Sequence, residues 1–270
     1  MPPKALILRT AGINCDLETE FAFTSAGALA ERVHVNRLIE APALLDGYQI
    51  LCVPGGFSYG DDLGAGRVLA AQLVVHLRDR LRRFIDDGKL ALGICNGFQV
   101  LVKTGLLPGP VDEKLGTVPS LSDQFAQTVT VTYNDSGRFE DRWVHLRSDS
   151  DHCIFLEKGE IVTLPIAHGE GKVIPTDAAH LDALRHLGRI ALRYVGPDGA
   201  DLPPFPFNPN GSIDAIAGLT DSTGRVFGLM PHPERYLSGL QHPAWTRQLK
   251  GPAAEGDGMR VFKRAVKYFK

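Results

Sequence analysis

An α/β fold with a mostly parallel central sheet, helices on both faces and a small antiparallel section is the architecture predicted by this 270-residue sequence. Three observations lead to it. Short apolar runs of strand length alternate with helical segments in the N-terminal part, the order that lays parallel strands under helices. One such run, Tyr48 to Val53, ends in Pro54-Gly55-Gly56 and a long glycine-rich loop. Another, Leu90 to Ile94, runs straight into Cys95-Asn96-Gly97 and an apolar helical stretch: strand, sharp turn, helix.

In chain order, Lys4 to Leu8 reads as a buried strand and Thr10 to Asp16 as a turn. Asp16 suits a helix N-cap, with Glu18 and Glu20 where the helix dipole favours acids. Leu17 to Leu29 is then the first helix, weakened by Gly27. Val33 to Val35 and Tyr48 to Val53 follow as strands. Arg67 to Ile85 reads as a long amphipathic helix. Val68, Leu69, Leu73, Val75, Leu77, Leu81, Phe84 and Ile85 form its apolar side, and Arg78, Asp79, Arg82 and Arg83 its wet side. After the cysteine helix and Leu107-Pro108-Gly109 the pattern changes. Gln127 to Tyr133 alternates, Arg142 to Leu146 is extended and Ile161 to Ile166 is apolar, which predicts an antiparallel insertion. Pro197 to Ser212 reads as an irregular loop, Ile213 to Leu219 and Arg225 to Met230 as the last strands, and Met259 to Phe269 as a terminal amphipathic helix. With no internal repeat or low-complexity tract, residues 1–270 read as one domain.

Composition narrows the function. A hydrophobic fraction of 44% is ample for a core. With 29 basic and 31 acidic residues, a net charge of −2 gives no support for binding nucleic acid or a membrane surface. No apolar run is long enough for a transmembrane helix, and Ala5 to Leu8 is too short for a signal peptide. The four cysteines, Cys15, Cys52, Cys95 and Cys153, lack paired spacing, which predicts reduced thiols, a cytoplasmic setting and no metal site.

The loop Gly55 to Gly66 is not a phosphate-binding loop, because no Gly-Lys-Ser/Thr follows it. It lies where α/β sheets bind ligands, so Gly55-Gly56 would offer backbone N–H groups beside a reaction centre. Cys95 has the setting of a nucleophile elbow. Gly93 and Gly97 permit the tight turn, and a helix N-terminus favours thiolate. A free thiol, with a pKa of about 8.5, needs a base. His232 stands between Pro231 and Pro233 with Glu234 two residues on. In extended chain, i and i+2 share a side, so Glu234 would orient His232 and favour its imidazolium. Cys95, His232 and Glu234 thus form a candidate catalytic triad. His34, His76, His145, His152 and His180 have no such frame and read as surface or core residues. Cys52 reads as core and Cys153 as unactivated, while a site role for Cys15, in its turn, stays open.

Gly93-Ile-Cys-Asn-Gly-Phe-Gln99 together with Pro231-His-Pro-Glu234 resembles the class I, triad-type glutamine amidotransferases of flavodoxin-like fold. Ala11-Gly-Ile-Asn-Cys-Asp16, Pro54-Gly-Gly-Phe-Ser-Tyr-Gly-Asp-Asp62, Arg138-Phe-Glu-Asp-Arg-Trp143, Ala167-His-Gly-Glu-Gly171, Asn208-Pro-Asn-Gly-Ser212 and Met230-Pro-His-Pro-Glu-Arg235 narrow the resemblance to the glutaminases of phosphoribosylformylglycinamidine synthase. These motifs span nearly the whole chain. The resemblance implies hydrolysis of L-glutamine to glutamate and ammonia through a Cys95 thioester. His232 would act as acid and base, held by Glu234. The N–H groups of Gly56 and Asn96 would form the oxyanion hole, with Gly55 the neighbouring alternative. Gly55, Phe57, Gln99, His168, Gly169 and Glu170 would bind substrate. It implies no cofactor on this chain, with ATP and Mg on a synthetase subunit. That partner would use the ammonia to convert formylglycinamide ribonucleotide to formylglycinamidine ribonucleotide. The stretches Leu107 to Gln124 and Pro175 to Asn208 and the tail after Tyr236 resemble the glutaminase domain of the large single-chain synthase. The chain therefore reads as a separate subunit of the longer type, and a third small subunit stays open. A glutaminase idle without its synthetase would show Cys95 and His232 apart, or the oxyanion loop turned away. The competing readings are a γ-glutamyl hydrolase-like enzyme of the same fold, and a non-catalytic module with a reactive Cys95.

Overall fold

A computed structural model describes residues 1–111, 127–247 and 254–270. Its strands are β1 (Lys4–Arg9), β2 (Leu29–His34), β3 (Ile50–Val53), β4 (Leu90–Ile94), β5 (Val129–Thr132), β6 (Glu140–Ser148), β7 (Ile161–His168), β8 (Lys172–Pro175), β9 (Ile190–Val195), β10 (Ile216–Thr220) and β11 (Val226–Leu229). Nine of them form one sheet in the order β2-β1-β3-β4-β11-β10-β9-β6-β7, and β5 pairs with β8 in a second. The neighbours from β2 to β11 are parallel, and those from β11 to β7 antiparallel. The sequence distinguishes the two halves. In β3, β4 and β11 every residue is buried, as in strands covered on both faces, whereas β7, after an exposed Ile161, alternates buried and half-buried positions.

Helices α1 (Asp16–Ser25), α2 (Val35–Glu40), α3 (Arg67–Asp86), α4 (Asn96–Lys103), α5 (Ala178–His186) and α6 (Met259–Lys267) complete the architecture, with helices on both faces of the large sheet. Helix α1 packs on α6, where Phe23 and Phe262 meet edge to face at 5.0 Å, and α3 packs on α4. Aromatic pairs of this geometry add about 0.5–1.5 kcal/mol beyond their burial.

Several local expectations change. Helix α1 ends at Ser25 instead of reaching Leu29, because Gly27 turns the chain at φ +95°. Asp16 is the first helical residue, not the cap, and its carboxylate pairs with Arg9 and Arg32. Val35 begins α2, whose first turn is capped by His34 Nδ1 accepting from the Asn36 N–H at 3.2 Å. Val75 points to solvent from α3. Strands β8 and β9 and helix α5 occupy a stretch that the hydrophobic pattern left unassigned. Of the Leu107 to Gln124 stretch, residues 112–124 lie outside the described residues.

The ends of β3, β4 and β11 lie side by side, paired in register from Val53 to Gly93 and from Leu229 to Ile94. Three loops leave those ends, and they carry Gly55-Gly56, Cys95 and His232. The sheet order therefore brings together segments far apart in sequence.

Candidate active site

Cys95 links β4 to α4 at φ +50°, ψ −107°, a left-handed backbone that costs a non-glycine residue about 1–3 kcal/mol. The surrounding structure enforces it. The Cys95 N–H donates to the Leu229 carbonyl at 2.8 Å, and its own carbonyl accepts from Gln99 at 3.1 Å. A Cβ on Gly93 would lie 2.6 Å from the Gly97 carbonyl oxygen, and one on Gly97 only 1.8 Å from that of Val53. The two glycines bracketing the cysteine thus let α4 rest directly on β3 and β4.

His232 follows β11 and is 2% exposed. Its Nδ1 lies 2.6 Å from Glu234 Oε1, and Glu234 is 1% exposed. The sequence argument assumed extended chain, but Pro233–Arg235 is a single 3-10 turn, and that turn brings the carboxylate back onto the ring. Burial by itself would lower the His232 pKa, yet the Glu234 carboxylate, with Cys95, holds it well above the ordinary histidine value. The Cys95 sulfur donates to the Ala167 carbonyl at 3.8 Å, and His232 Nε2 makes no hydrogen bond among the described residues.

Cys95 and His232 line a cavity of about 370 Å³ together with Gly56, Phe57, Gln99, His168, Gly169 and Glu170. Gly55, Asn96 and Glu234 are not among the residues that line it. A Cβ on Gly55 would come 2.8 Å from His232 Cε1, so this position lets the loop lie against the imidazole. The flanking Gly55 carbonyl and Phe57 N–H bond to the Cys15 N–H (3.2 Å) and the Gly12 carbonyl (2.8 Å). Gly56 lies between them at φ +140°, and its N–H makes no hydrogen bond among the described residues. Phe57 is exposed at the rim.

Opposite, the turn His168 to Gly171 is tied down by side chains. Asn134 donates through Nδ2 to the His168 carbonyl at 2.8 Å and through its N–H to that of Gly169 at 2.9 Å. Gln99 Nε2 donates to the Glu170 carbonyl at 2.5 Å, and Asn210 Nδ2 to that of Gly171 at 2.8 Å. Asn134 Oδ1 also accepts from the Gly171 N–H at 3.0 Å and from His168 Nδ1 at 3.1 Å. With all four carbonyls held, the N–H groups of Gly169 and Glu170 are without a hydrogen bond among the described residues, a concavity suited to a carboxylate. Burial, reinforced by the charge on His232, lowers the His168 pKa to about 3, so its ring is neutral.

Sequence reasoning named Gln99 and the 168–170 turn but missed the residues that brace them. Asn134 gives no local signal, because it acts across 34 residues of chain. Asn210 and Asp61 lie in quoted motifs, where the irregular, polar wording around them was the available sign. Among the described residues, Cys15, His232 and Glu234 are the grouping whose potential ligand atoms lie within 4.8 Å of one another. Glu234 already engages His232 Nδ1, and Arg235 donates to the Cys15 sulfur at 3.2 Å. A guanidinium there opposes a bound dication. Cys52 and Cys153 are buried, and burial raises both thiols, Cys153 to about 11.

Comparison with known proteins gives one consistent picture. Residues 2–269 match the family model of the CobB/CobQ-like glutamine amidotransferase domain. Phosphoribosylformylglycinamidine synthase subunit PurQ of Dehalococcoides mccartyi is 46% identical over 98% of this chain and 97% of its own. The PurQ subunit of Archaeoglobus fulgidus is 41% identical over 98% and 96%. Among solved structures, a chain of PurLQS from Thermotoga maritima superposes with a TM-score of 0.72 at 32% identity, covering 100% of both chains.

Proposed function

The chain belongs to the CobB/CobQ-like glutamine amidotransferase family and is a glutaminase subunit of phosphoribosylformylglycinamidine synthase, and from that premise we propose that Cys95, His232 and Glu234 catalyse the hydrolysis of L-glutamine. The observation that carries this assignment is the buried His232–Glu234 pair at the end of β11, beside the elbow that presents Cys95.

The Cys95 thiolate attacks the side-chain amide carbon of glutamine. The N–H groups of Gly56 and Asn96 receive the oxyanion, Asn96 being in the first turn of α4, where N–H groups lack helical partners. His232 Nε2 then gives its proton to the departing nitrogen, and ammonia leaves a Cys95 thioester. The neutral imidazole takes a proton from water, and the resulting hydroxide cleaves the thioester to glutamate. Thiolate and imidazolium are thereby restored. Glu234 keeps His232 in the tautomer with Nε2 facing the chemistry. The unpaired N–H groups of Gly169 and Glu170 receive the substrate's α-carboxylate, Gln99 and Phe57 complete the binding walls, and Gly55, outside the cavity lining, lets the loop lie against His232. His168 serves as a neutral spacer.

The ammonia passes to a synthetase subunit. That partner, holding ATP and Mg, converts formylglycinamide ribonucleotide to formylglycinamidine ribonucleotide in de novo purine synthesis. This chain works as one domain without a cofactor of its own, in the cytoplasm. No described helix is long and apolar enough to cross a membrane.

Glutaminase assays on the chain, alone and with its synthetase, test this reading. Cys95→Ala abolishes glutamine-dependent synthesis by the complex and spares ammonia-dependent synthesis. Absence of glutaminase activity from the native chain in both settings sinks the proposal, and loss of both syntheses in the variant makes Cys95 structural.

A further inference from the structure

The loop after β3 carries a feature that the triad does not use. Tyr59, Gly60 and Asp61 stand in succession at φ +55°, +71° and +54°. Left-handed backbone is strained for a non-glycine residue, so Tyr59 and Asp61 need compensating contacts. Asp61 Oδ1 accepts from Asn96 Nδ2 at 3.1 Å and from the Gly66 N–H at 3.1 Å. Asn96 is the residue after the nucleophile, 1% exposed, and its carboxamide is fully engaged. Its Oδ1 accepts from the Ser58 N–H at 3.2 Å, and its Nδ2 also donates to Gln99 Oε1 at 3.0 Å. Gln99 in turn holds the Glu170 carbonyl. One continuous chain of hydrogen bonds thus runs from the Gly66 N–H through Asp61, Asn96 and Gln99 to the substrate turn. Asp61 is the anionic anchor of that chain, and charge-assisted bonds of this kind are the strong ones.

We propose that Asp61 is a positioning residue of the glutaminase reaction: through the Asn96 carboxamide its carboxylate fixes the oxyanion loop against the nucleophile helix. This rests on the assignment of Gly56 and Asn96 to the oxyanion hole. Asp61 acts on the transition state more than on substrate affinity, because the loop it fixes carries an N–H aimed at developing charge. Asp61 also borders the cavity, so direct contact with the substrate's ammonium group is the rival role.

The test uses the complete synthetase complex carrying Asp61→Ala or Asp61→Asn. Asp61→Ala is expected to lower the glutaminase kcat by about 10- to 100-fold, less than loss of a whole oxyanion donor, with KM within about threefold. Asp61→Asn, which keeps an acceptor for Asn96 and Gly66, is expected to recover most of that loss. A chloroketone analogue of glutamine, whose addition to Cys95 passes through an oxyanion, reacts about 10-fold more slowly with Asp61→Ala. Iodoacetamide, which needs no oxyanion hole, alkylates Cys95 at the native rate, and ammonia-driven synthesis is unchanged. A rise in KM with kcat intact, or failure of Asp61→Asn to restore activity, overturns the proposal in favour of ammonium binding. Equal slowing of both alkylating agents, or loss of ammonia-driven synthesis, overturns it in favour of general destabilisation. Native kcat in Asp61→Ala refutes it outright. None of these outcomes bears on the triad itself, which the native enzyme and Cys95→Ala test separately.

Discussion

Gly97→Ala sets two effects of opposite sign against each other. Alanine is favoured over glycine inside a helix by about 1 kcal/mol, and Gly97 lies in the first turn of α4. The added Cβ, however, would stand 1.8 Å from the Val53 carbonyl oxygen and 2.6 Å from its carbon. Reaching ordinary contact at 3.4 Å requires α4 and the end of β3 to part by about 1.6 Å. Both partners are backbone, so no side chain can swing away. Overpacking of a tight core costs about 1–3 kcal/mol, and this contact belongs at the upper end, so the clash outweighs the helix gain. The net loss of about 2 kcal/mol corresponds to a fall in Tm of roughly 4–8 °C for a chain of this size. Activity suffers more, because the shift moves Cys95 relative to Gly56 and His232, and a misplacement of about 1 Å costs on the order of 100-fold in rate. Gly47→Ala is the control, since a Cβ there meets nothing within 4 Å. Thermal melting and glutaminase assays of the two variants decide the matter. If Gly97→Ala melts with Gly47→Ala and keeps activity within about twofold of native, the close approach of α4 to β3 is wrong.

Three further outcomes follow from the site. Asn134→Ala removes the donor and acceptor that shape the 168–171 turn, each orphaned group costing about 1–3 kcal/mol, so the KM for glutamine rises at least about tenfold while iodoacetamide still alkylates Cys95 normally; an unchanged KM refutes the bracing role. Gly171→Ala places a Cβ 2.3 Å from His168 Cε1 and displaces the ring, lowering stability by about 1–3 kcal/mol in urea titrations, and a neutral result contradicts the packing. Glu234→Gln changes the pH dependence of stability. In the native protein His232 has a raised pKa, so its contribution is complete below the unfolded value near 6.5 and is lost as pH rises through the folded value. Without the carboxylate, burial governs and the folded pKa falls below the unfolded one. The variant then loses up to about 1.4 kcal/mol per pH unit as pH drops below 6.5. Urea midpoints should show the gap between the two proteins widening on acidification, and a constant gap excludes the His232–Glu234 coupling.

Much of this was legible because it is local. A cysteine between Gly93 and Gly97 after an apolar run dictates an elbow, and the parallel strands announce themselves by burial on both faces. The Pro-His-Pro-Glu run pointed to the pairing of His232 with Glu234, although that pairing arises from a 3-10 turn and not from extended chain. What escaped was of two kinds. Short elements with weak periodicity, such as α2 and α5, draw their stability from tertiary packing. The Asp177 cap of α5, which accepts from the His180 N–H at 2.7 Å, and Arg185, His186 and Gly188 at its other end were the sequence-level signs of that helix. The braces Asn134, Asn210 and Asp61 act through side-chain bonds whose partners only the fold brings near.

The adjacency of β4 and β11 has a consequence for how the enzyme is made. These strands are immediate neighbours in the sheet, yet about half the chain separates Cys95 from His232. During synthesis the N-terminal parallel strands can assemble as they emerge, leaving an open edge along β4. Closing that edge requires the antiparallel excursion to be finished and β11 to be delivered back into the middle of the sheet, a pairing of long sequence separation and correspondingly late formation. A nascent chain therefore presents Cys95 before His232 and Glu234 are in place beside it. Under the proposed mechanism, the order of strands keeps the site incomplete until the polypeptide is nearly finished.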